Sequence, residues 1–413
     1  MVYPGDVVIK MMKANLDLHI HSKYSTATSE RMDLPTIAKE APKKGINVVG
    51  TGDCLHPMWM AEVKRLREED GLFFLDGTAF VLTTEVEDLK RAHHLIIISN
   101  ISKAQELRDA FFKHSNDLDT NGRPTLKMSP PEIADAVLDA ECLIGPAHAF
   151  TPWTGMYAHY PSLKDCYGDR VSEIHYLELG LSADSDYADR ISELSEKTFL
   201  TNSDAHSPWS NKLGREFNQM EMEGLSFEEV KKAILRDNGR KPSLNVGFYP
   251  DEGKYNRTAC TRCYKHYSPE DLTKMGGRCE CGGLIKLGVK GRVDVLADHT
   301  EPVHPSHRPP YIHLIPLAEI IAMSLGHKSV YTTGVQKRWS ELVKGKSEIE
   351  VLLDADISEL NAEYKILQAI QAFRSGDVII KPGGGGKYGE IKLPEYLTHD
   401  ASKNKKQQTL FDF

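Results

Sequence analysis

Apolar and polar positions alternate along residues 1–240 in a way that predicts strands and helices in turn. Short apolar runs such as Ala14–His19 and Ile46–Gly50 have the length of buried strands, and the segments between them space their apolar residues as amphipathic helices do. Repetition of strand and helix favours a parallel sheet that is either closed into a barrel or doubly wound. We therefore predict an α/β domain over residues 13–240.

The rest of the chain changes character twice. Residues 254–292 lack long apolar runs and are rich in glycine, cysteine, lysine and arginine, which is typical of a small module built around a metal ion. Residues 293–398 show helical spacing again, at 315–324 and 359–373, and predict a C-terminal α+β or helical region. The polar residues 399–413 form a tail that we expect to be flexible.

A glycine-rich segment, Lys381–Gly389, lies within the C-terminal region. Glycines allow backbone amides to approach an anion closely, so phosphate binding is one interpretation of this segment. It lacks the Gly-Lys-Ser/Thr sequence that opens the helix of a P-loop, and a flexible connector is the alternative.

The composition, 40% hydrophobic and 27% charged over 413 residues, is that of a globular protein with two or three domains. No long apolar run and no signal peptide is visible, so we expect a cytoplasmic protein without a membrane span. The net charge of −8 is uneven, because residues 1–240 carry −11 and residues 241–413 carry +3. The acidic residues 1–240 favour cation binding. The basic stretch Lys254–Arg292 suits a polyanion, or is a solvated face with no partner.

Polar side chains follow most of the predicted strands. His19 and His21 are two residues apart, so they share one face of an extended segment. The carboxyl ends of the strands meet at one rim, where we expect a cluster of metal ligands, although His94 precedes its apolar run. The candidate ligands are His19, His21, Asp53, His56, Glu85, His94, His148, Asp204 and His206. That number suits two or three divalent ions (zinc, magnesium or manganese), which activate water and clamp the oxygens of a phosphoryl transfer.

The motifs that carry these ligands resemble, in order, those of the PHP (polymerase and histidinol phosphatase) family of metal-dependent phosphoesterases. They are Asp17-Leu-His-Ile-His21, Thr51-Gly-Asp53, Thr84-Glu85-Val, His94, Pro146-Ala-His148 and Ser203-Asp-Ala-His206. The resemblance implies a distorted (β/α)7 barrel over residues 13–240 with a trinuclear metal site. It assigns the catalytic role to His19, His21, Glu85, Asp204 and His206.

The chain departs from the family pattern after its second strand. The family has Asp-His there, whereas Asp53 is followed by Cys54-Leu55-His56, so His56 is the candidate substitute. Glu87 competes with Glu85 as the carboxylate ligand, and Glu178 is a candidate to support a ligand from behind.

Four cysteines form two close pairs, which predict a zinc ribbon over residues 254–292. Seven cysteines in all are an odd number, so a reducing compartment with a metal site is favoured over a disulfide framework. Four thiolates match a tetrahedral structural zinc, and reactive thiols are the alternative. The predicted zinc ligands are Cys260, Cys263, Cys279 and Cys281.

The chain ends in a short apolar pattern. Gln407, Leu410 and Phe413 are spaced three residues apart, and this arrangement resembles the peptide that docks on the sliding clamp PCNA. A hydrophobic terminus without a partner is the alternative, but exposed apolar side chains usually have a binding role.

The barrel, ribbon, glycine-rich region and clamp peptide, in this order, resemble the archaeal endonuclease Q family over essentially the whole chain. The resemblance implies a DNA-repair enzyme that cuts the phosphodiester bond 5′ to deaminated bases (hypoxanthine, uracil, xanthine) and abasic sites, leaving 3′-hydroxyl and 5′-phosphate ends. The damaged nucleotide would leave the stack. Phe150, Trp153 and Tyr157 are candidates to stack on it, or simply to pack at the rim.

Two alternatives remain open from the sequence. A small-molecule phosphatase resembling histidinol-phosphate phosphatase would need the barrel alone. A non-catalytic adaptor would keep the clamp peptide and lose the metal chemistry.

Overall fold

The computed structural model describes residues 11–398 of the chain. The strands are β1 (Met12–Asp17), β2 (Val48–Gly50), β3 (Arg67–Glu69), β4 (Leu72–Leu75), β5 (Thr78–Glu87), β6 (His93–Ile98), β7 (Leu143–Pro146), β8 (Tyr176–Glu178), β9 (Thr198–Leu200), β10 (Phe217–Met222), β11 (Lys241–Gly247), β12 (Ala259–Cys260), β13 (Ile285–Lys286), β14 (Tyr311–His313), β15 (Ile379–Lys381) and β16 (Glu390–Lys392). The helices are α1 (Leu34–Lys44), α2 (Pro57–Val63), α3 (Ile101–Phe112), α4 (Pro130–Asp139), α5 (Met156–His159), α6 (Leu163–Tyr167), α7 (Ser185–Ala188), α8 (Phe227–Leu235), α9 (Pro269–Lys274), α10 (Val289–Leu296), α11 (Leu317–Ser324), α12 (Thr333–Leu342), α13 (Tyr364–Ser375) and α14 (Glu395–Thr398).

Seven strands form a distorted barrel, which confirms the predicted α/β class. β1, β2 and β5 pair in parallel, β6 runs antiparallel between β5 and β7, and β8 pairs in parallel with β9. The ring closes where the amide of Ala149 donates to the carbonyl of Glu178 (2.8 Å) and where Ile20 bridges Ala205 in parallel.

The antiparallel direction of β6 explains why two histidines precede their apolar run and still lie at the rim. His93 and His94 stand at the start of their apolar run, but an antiparallel strand brings its start to the rim where parallel neighbours end. Successive side chains on a strand point to opposite faces, so only one of these two histidines can face the barrel centre.

The sheet continues beyond the predicted boundary at residue 240. β11 pairs antiparallel with β10, and β14 pairs in parallel with β11. One apolar core extends from Ile37 and Trp59 in the barrel to Ile321 and Phe373 in the C-terminal helices. The C-terminal region is therefore packed against the barrel.

A buried ion pair fastens α1 to the C-terminal helices. Lys44 Nζ lies 2.5 Å from Glu348 Oε1 and also donates to the carbonyl of Ser210 at 2.7 Å. The carboxylate of Glu348 accepts from the indole N–H of Trp339 (2.6 Å) and the amide of Leu317 (3.1 Å). Because both charges are paired and hydrogen-bonded, they can be buried in the apolar core.

The glycine-rich segment packs closely on neighbouring backbone, so it is not a flexible connector. The amides of Gly383 and Gly386 donate to the carbonyls of Asp251 (2.8 Å) and Lys254 (2.9 Å). A side chain at Gly385 would place its Cβ only 2.3 Å from the carbonyl oxygen of Cys260. The glycines thus allow this loop to pack on the backbone of the ribbon, and the amides of Gly384, Lys387 and Gly389 also donate to backbone carbonyls.

Among residues 11–398, no helix is both long enough and apolar enough to cross a lipid bilayer.

We predict that Lys44→Ala lowers the free energy of unfolding by about 3–5 kcal/mol, because it leaves the carboxylate of Glu348 buried without its partner. Urea unfolding followed by circular dichroism measures this loss. The control is Lys43→Ala, which removes a half-exposed partner of Glu40 and should cost at most about 1 kcal/mol. Equal effects of the two substitutions would contradict the importance of the buried pair.

Candidate metal centre and adjoining cavity

The carboxylate of Glu85, near the end of β5, is fully buried and surrounded by imidazoles. Its Oε1 lies 2.8 Å from Nδ1 of His93 and 2.8 Å from Nε2 of His148, and its Oε2 lies 3.3 Å from Nε2 of His21. Burial alone would raise the pKa of Glu85, but the positive charges of His93 and His19 hold it well below its usual value. Both oxygens are therefore available as anionic ligands.

Two carboxylates fix the orientation of the paired histidines that follow β1. Nδ1 of His19 lies 2.8 Å from Glu178 Oε2, and Nδ1 of His21 lies 3.1 Å from Asp53 Oδ1. Burial lowers the pKa of each imidazole, but the neighbouring carboxylates outweigh it and raise both pKa values well above the ordinary range. Nε2 of each ring therefore faces the centre, as in metal sites where a carboxylate orients a ligating histidine.

The atoms around this point have the spacing of metal ligands. Four bonds of zinc-ligand length in a tetrahedron place the ligand atoms about 3.4 Å apart. Nε2 of His21 lies 3.2 Å from Asp204 Oδ1, and Nε2 of His19 lies 3.7 Å from Glu85 Oε1 and 3.9 Å from Asp204 Oδ1.

Three of these atoms are buried without a hydrogen bond of acceptable geometry: Nε2 of His19, Nε2 of His21 and Oδ1 of Asp204. Buried polar atoms are normally satisfied, so a divalent cation among them would supply the missing interaction. Burial would raise the pKa of Asp204, but the adjacent His21 and His19 lower it, which favours the ionised ligand. The donor set therefore fits a divalent metal.

His93, and not His94, faces this centre. Nδ1 of His93 is 3.3 Å from Nε2 of His148, and both contact Glu85. His94 points to the opposite face of β6, where Nδ1 is 2.7 Å from the hydroxyl of Tyr167. This corrects the assignment of His94, and the reason is the two-residue alternation of the strand.

Asp53 and His56 lie outside the ligand groups. Asp53 accepts from the amide of Ser22 (2.6 Å) and stands behind His21. The ring of His56 stacks on Tyr24 with the centroids 4.4 Å apart, and it joins none of the clusters of three potential ligands found among the described residues. The predicted role of Asp53 therefore becomes one of orientation, and His56 does not replace a ligand. Glu87 reaches the centre only through Nε2 of His93, at 3.1 Å.

His206 completes the Asp-Ala-His motif at the rim. Its ring centroid is 4.5 Å from that of His21, and its Nδ1 is 2.9 Å from the carbonyl oxygen of Asp204. The group His21, Asp204 and His206 therefore shares His21 with the group His19, His21 and Glu85.

Arg123 belongs to the same site, although nothing in the sequence pattern indicated it. It lies on the segment between α3 and α4, and its Nη1 is 3.3 Å from Glu85 Oε2.

The four cysteines of the ribbon lie together. Sγ of Cys260 is 3.5 Å from Sγ of Cys281, and Sγ of Cys263 is 3.5 Å from Sγ of Cys279. Tetrahedral zinc–sulfur bonds place the sulfurs about 3.8 Å apart. The short antiparallel pair β12–β13 places Cys260 opposite Ile285, a few residues after Cys279 and Cys281 in the chain. The geometry fits one structural zinc.

A cavity of about 320 Å³ adjoins the metal centre. His148 and Asp204 line it on one side, and Trp153, Tyr255 and Tyr388 line it on the others. Nζ of Lys254 lies over the rings of Tyr255 and Tyr388, at 5.4 and 5.5 Å from their centroids. The cavity thus combines ligand side chains, aromatic faces and a cation.

A second cavity of about 400 Å³ lies on the other side of Trp153 and Tyr255. Phe150 and Tyr157 form its wall and are themselves buried, with the hydroxyl of Tyr157 donating to Glu193 at 2.8 Å. Trp153 is 51% exposed and its ring meets that of Tyr255 edge to face at 6.1 Å. Of the three aromatic residues predicted to stack on a base, only Trp153 has an exposed ring.

Gln407, Leu410 and Phe413, the predicted clamp-binding residues, lie outside the described residues.

Comparison with known proteins identifies relatives over different parts of the chain. Residues 316–377 match the family model described as the MJ0043 C-terminal domain. The chain is 46% identical over 254 residues to protein MJ0043 of Methanocaldococcus jannaschii, which covers 60% of this chain and 31% of that protein. This chain thus spans about a third of that relative. It is 29% identical over 412 residues to YqxK of Bacillus subtilis, covering 92% of this chain and 100% of that one.

Two solved structures match almost the entire chain. PfuEndoQ from Pyrococcus furiosus, described as a novel lesion-specific endonuclease, is 46% identical with a TM-score of 0.90, over 96% of this chain and 99% of that chain. Endonuclease Q bound to a 27-mer duplex substrate with an abasic lesion at the active site is 47% identical with a TM-score of 0.88, over 94% and 98%. These matches confirm the family resemblance seen in the sequence. The chain belongs to the endonuclease Q family.

Proposed function

We propose that this chain is a DNA-repair endonuclease that hydrolyses the phosphodiester bond 5′ to deaminated bases and abasic sites with the help of divalent metals. The observation that carries the proposal is the shared wall of the metal centre and the cavity of about 320 Å³, since His148 and Asp204 belong to both. A phosphate at the metals would therefore leave its neighbouring nucleotide beside the cavity. The endonuclease Q structure with an abasic lesion at its active site supports the same use of the site.

Three groups of side chains would hold the divalent metals: His19, His21 and Glu85; Glu85, His93 and His148; and His21, Asp204 and His206. Bound metals of this kind lower the pKa of water and stabilise the charge of an in-line displacement. The chain's own contribution is orientation. Glu178 and Asp53 fix the ring planes of His19 and His21, and the positive charges of His93 and His19 hold the pKa of Glu85 well below its usual value despite its burial.

The cavity would receive the damaged nucleotide. Extrusion of a nucleotide costs less free energy when its base is mispaired or missing, which favours binding of lesions over normal base pairs. The exposed ring of Trp153 and the rings of Tyr255 and Tyr388 offer stacking surfaces, which tolerate several different bases. Phe150 and Tyr157 support this wall from behind.

The basic face of the ribbon would contact the DNA backbone. Lys265 and Lys286 are ribbon cations, and Nζ of Lys286 lies 5.1 Å from the ring of Trp153, so the ribbon borders the proposed nucleotide site. A small-molecule phosphatase would not need this arrangement. The match over nearly the whole chain to endonuclease Q also favours DNA over a small phosphate ester.

We further propose that the tail from Gln407 to Phe413 docks on the sliding clamp, because its spacing presents a glutamine and two apolar anchors at the end of a polar segment. Tethering to a clamp on DNA would raise the local concentration of the nuclease without changing its active site.

Asp204→Asn should lower cleavage of a duplex with one central deoxyinosine or abasic site by more than the roughly 100-fold that loss of a supporting metal contact costs. The metal content should also fall, because the amide is a weaker ligand. Labelled-strand cleavage and elemental analysis measure the two effects. Asp169→Asn, at an exposed position, is the matched control and should retain full activity. Unimpaired cleavage by Asp204→Asn would refute the assignment.

Cys279→Ser should remove one zinc per chain and weaken binding to duplex DNA, while the barrel metals remain. The reason is that the ribbon loses its tetrahedral site and its cations are no longer fixed. Elemental analysis and binding titrations at several salt concentrations test this, because fewer phosphate contacts make affinity less sensitive to salt. If zinc content does not change, these thiols do not hold a zinc.

Leu410→Ala combined with Phe413→Ala should abolish binding to the sliding clamp and leave cleavage of a short oligonucleotide unchanged, since buried apolar anchors dominate such interfaces. A titration of clamp by calorimetry gives the affinity. The matched control, Thr409→Ala with Asp412→Ala, alters the same peptide without removing the anchors. Full affinity of the first variant would show that the tail is not the docking segment.

A further inference from the structure

The cavity of about 400 Å³ beyond Trp153 is not used by the proposed function, although it shares a wall with the cavity of about 320 Å³ beside the metals. Pro152, Trp153 and Tyr255 line both cavities. The metal ligands His148 and Asp204 line only the smaller one. The order is therefore metal centre, first cavity (about 320 Å³), shared wall and second cavity (about 400 Å³). A ligand that extends from the metals through the first cavity meets the second one next.

The second cavity combines aromatic and apolar walls with positive charge. Phe150 and Tyr157 are buried and form one wall, and Leu287 adds an apolar side chain that is 38% exposed. Lys286 and Arg292 supply cations, and none of the described residues that line the cavity is an aspartate or a glutamate. A flat ring joined to an anion fits such a site, and a nucleotide of DNA has that composition.

Arg292 is held in place and still has hydrogen-bond donors available. Its Nε donates to the carbonyl of Tyr157 at 2.9 Å, which fixes the guanidinium beside the aromatic wall. A guanidinium has five N–H groups, and within residues 11–398 the hydrogen bonds of this side chain use only the one on Nε. The two terminal nitrogens form a fork that can bind two oxygens, which is the geometry with which arginine binds phosphate.

The wall between the two cavities is fixed by its backbone. Trp153 has a φ of 80°, in the left-handed region that tryptophan rarely adopts. Its carbonyl oxygen accepts from Nε2 of His159 at 2.7 Å, and the amide of Val289 donates to the carbonyl of Tyr255 at 2.9 Å. The indole is 51% exposed and stands between the cavities. A ring in this position can separate two bases and stack on either of them.

We propose that the second cavity binds the nucleotide on the 3′ side of the lesion, so that two unstacked nucleotides of the cut strand lie on either side of Trp153. The inference rests on the proposed function. Cleavage 5′ to the lesion puts the scissile phosphate at the metals and the lesion in the first cavity, so the strand leaves that cavity in the 3′ direction. The base of the next nucleotide lies against Phe150 and Tyr157, and its phosphate pairs with Arg292 and Lys286.

Photochemical cross-linking locates this nucleotide without a need for cleavage. 5-Iododeoxyuridine is placed in turn 3′ of an abasic site, 5′ of it and opposite it, and each duplex is bound to the Asp204→Asn variant so that the strand stays intact. We expect the 3′ position alone to cross-link to Tyr157, His159 or residues 286–292, which line the second cavity and not the first. Cross-links to these residues from the 5′ or the opposite position instead, or from none of the three, overturn the proposal.

Binding titrations of Arg292→Ala provide the second test. The Kd of a duplex with one abasic site should rise about 10- to 100-fold, because charge-assisted hydrogen bonds to a phosphate are lost. On a duplex that has a one-nucleotide gap directly 3′ of the lesion, variant and wild type should bind alike, because the second cavity has no nucleotide to hold. Arg170→Ala, which removes an arginine of the barrel surface that pairs with Asp135 and Asp139, is the matched control and should bind both duplexes like the wild type. An equal loss of affinity by Arg292→Ala on both duplexes contradicts the proposed contact.

A second variant fills the cavity and keeps Arg292. Leu287→Trp leaves the contact between Arg292 and Tyr157 in place, and it should weaken binding of the intact lesion duplex but not of the gapped one. A thermal melt shows whether each variant is folded. If Arg292→Ala is unfolded, a folded Leu287→Trp that binds the intact duplex with wild-type affinity still overturns the proposal.

The results distinguish this inference from the proposed function. A wild type that fails to cut lesion duplexes refutes the proposed function. A wild type that cuts them, together with folded Arg292→Ala and Leu287→Trp variants that bind the intact duplex as tightly as the wild type does, refutes the second nucleotide site alone.

Discussion

The arrangement of the barrel depends on one carboxylate, that of Glu85, which is charged although it is fully buried. An isolated buried carboxylate would take up a proton, because desolvation raises its pKa. Glu85 escapes this because imidazoles and Arg123 surround both of its oxygens. These groups come from four different segments of the chain. Their convergence on one carboxylate constrains the direction of β6, the tilt of the His19 and His21 rings and the path of the loop that carries Arg123.

Part of this centre could be predicted from sequence because it depends on local periodicity. Histidines two residues apart at the end of an apolar run, and an Asp-Ala-His at another strand end, must face one rim if the strands are parallel. The choice between His93 and His94 could not be made in the same way. It depends on the reversed direction and the register of β6, which its neighbours fix through pairing rather than its own sequence. Arg123 was missed because a loop arginine has no periodic signal.

The glycine-rich segment shows a second limit of sequence reasoning. Several glycines in a row indicate backbone freedom, and the sequence does not show what approaches that backbone. Here the partner is the ribbon, since Gly385 packs against the carbonyl of Cys260. The same contact brings Tyr388 beside Lys254 and the cavity at the metals. Residues from the barrel, from the segment just before the first ribbon cysteine and from the C-terminal region thus form one cavity, although they lie far apart in sequence.

The C-terminal region supports the active rim as well as the fold. The loop that follows the ligands Asp204 and His206 is held from outside the barrel. Lys44, fixed by Glu348, donates to the carbonyl of Ser210, and the hydroxyl of Tyr331 donates to the side chain of Asn211 at 3.1 Å. A ligand pair at the end of a short strand keeps its geometry only if the loop after it is rigid. Residues 316–377, which match a family model of their own, therefore stabilise the metal centre from the far side of that loop. A barrel without residues 316–377 would keep its metal ligands but lose part of the contacts that fix their orientation.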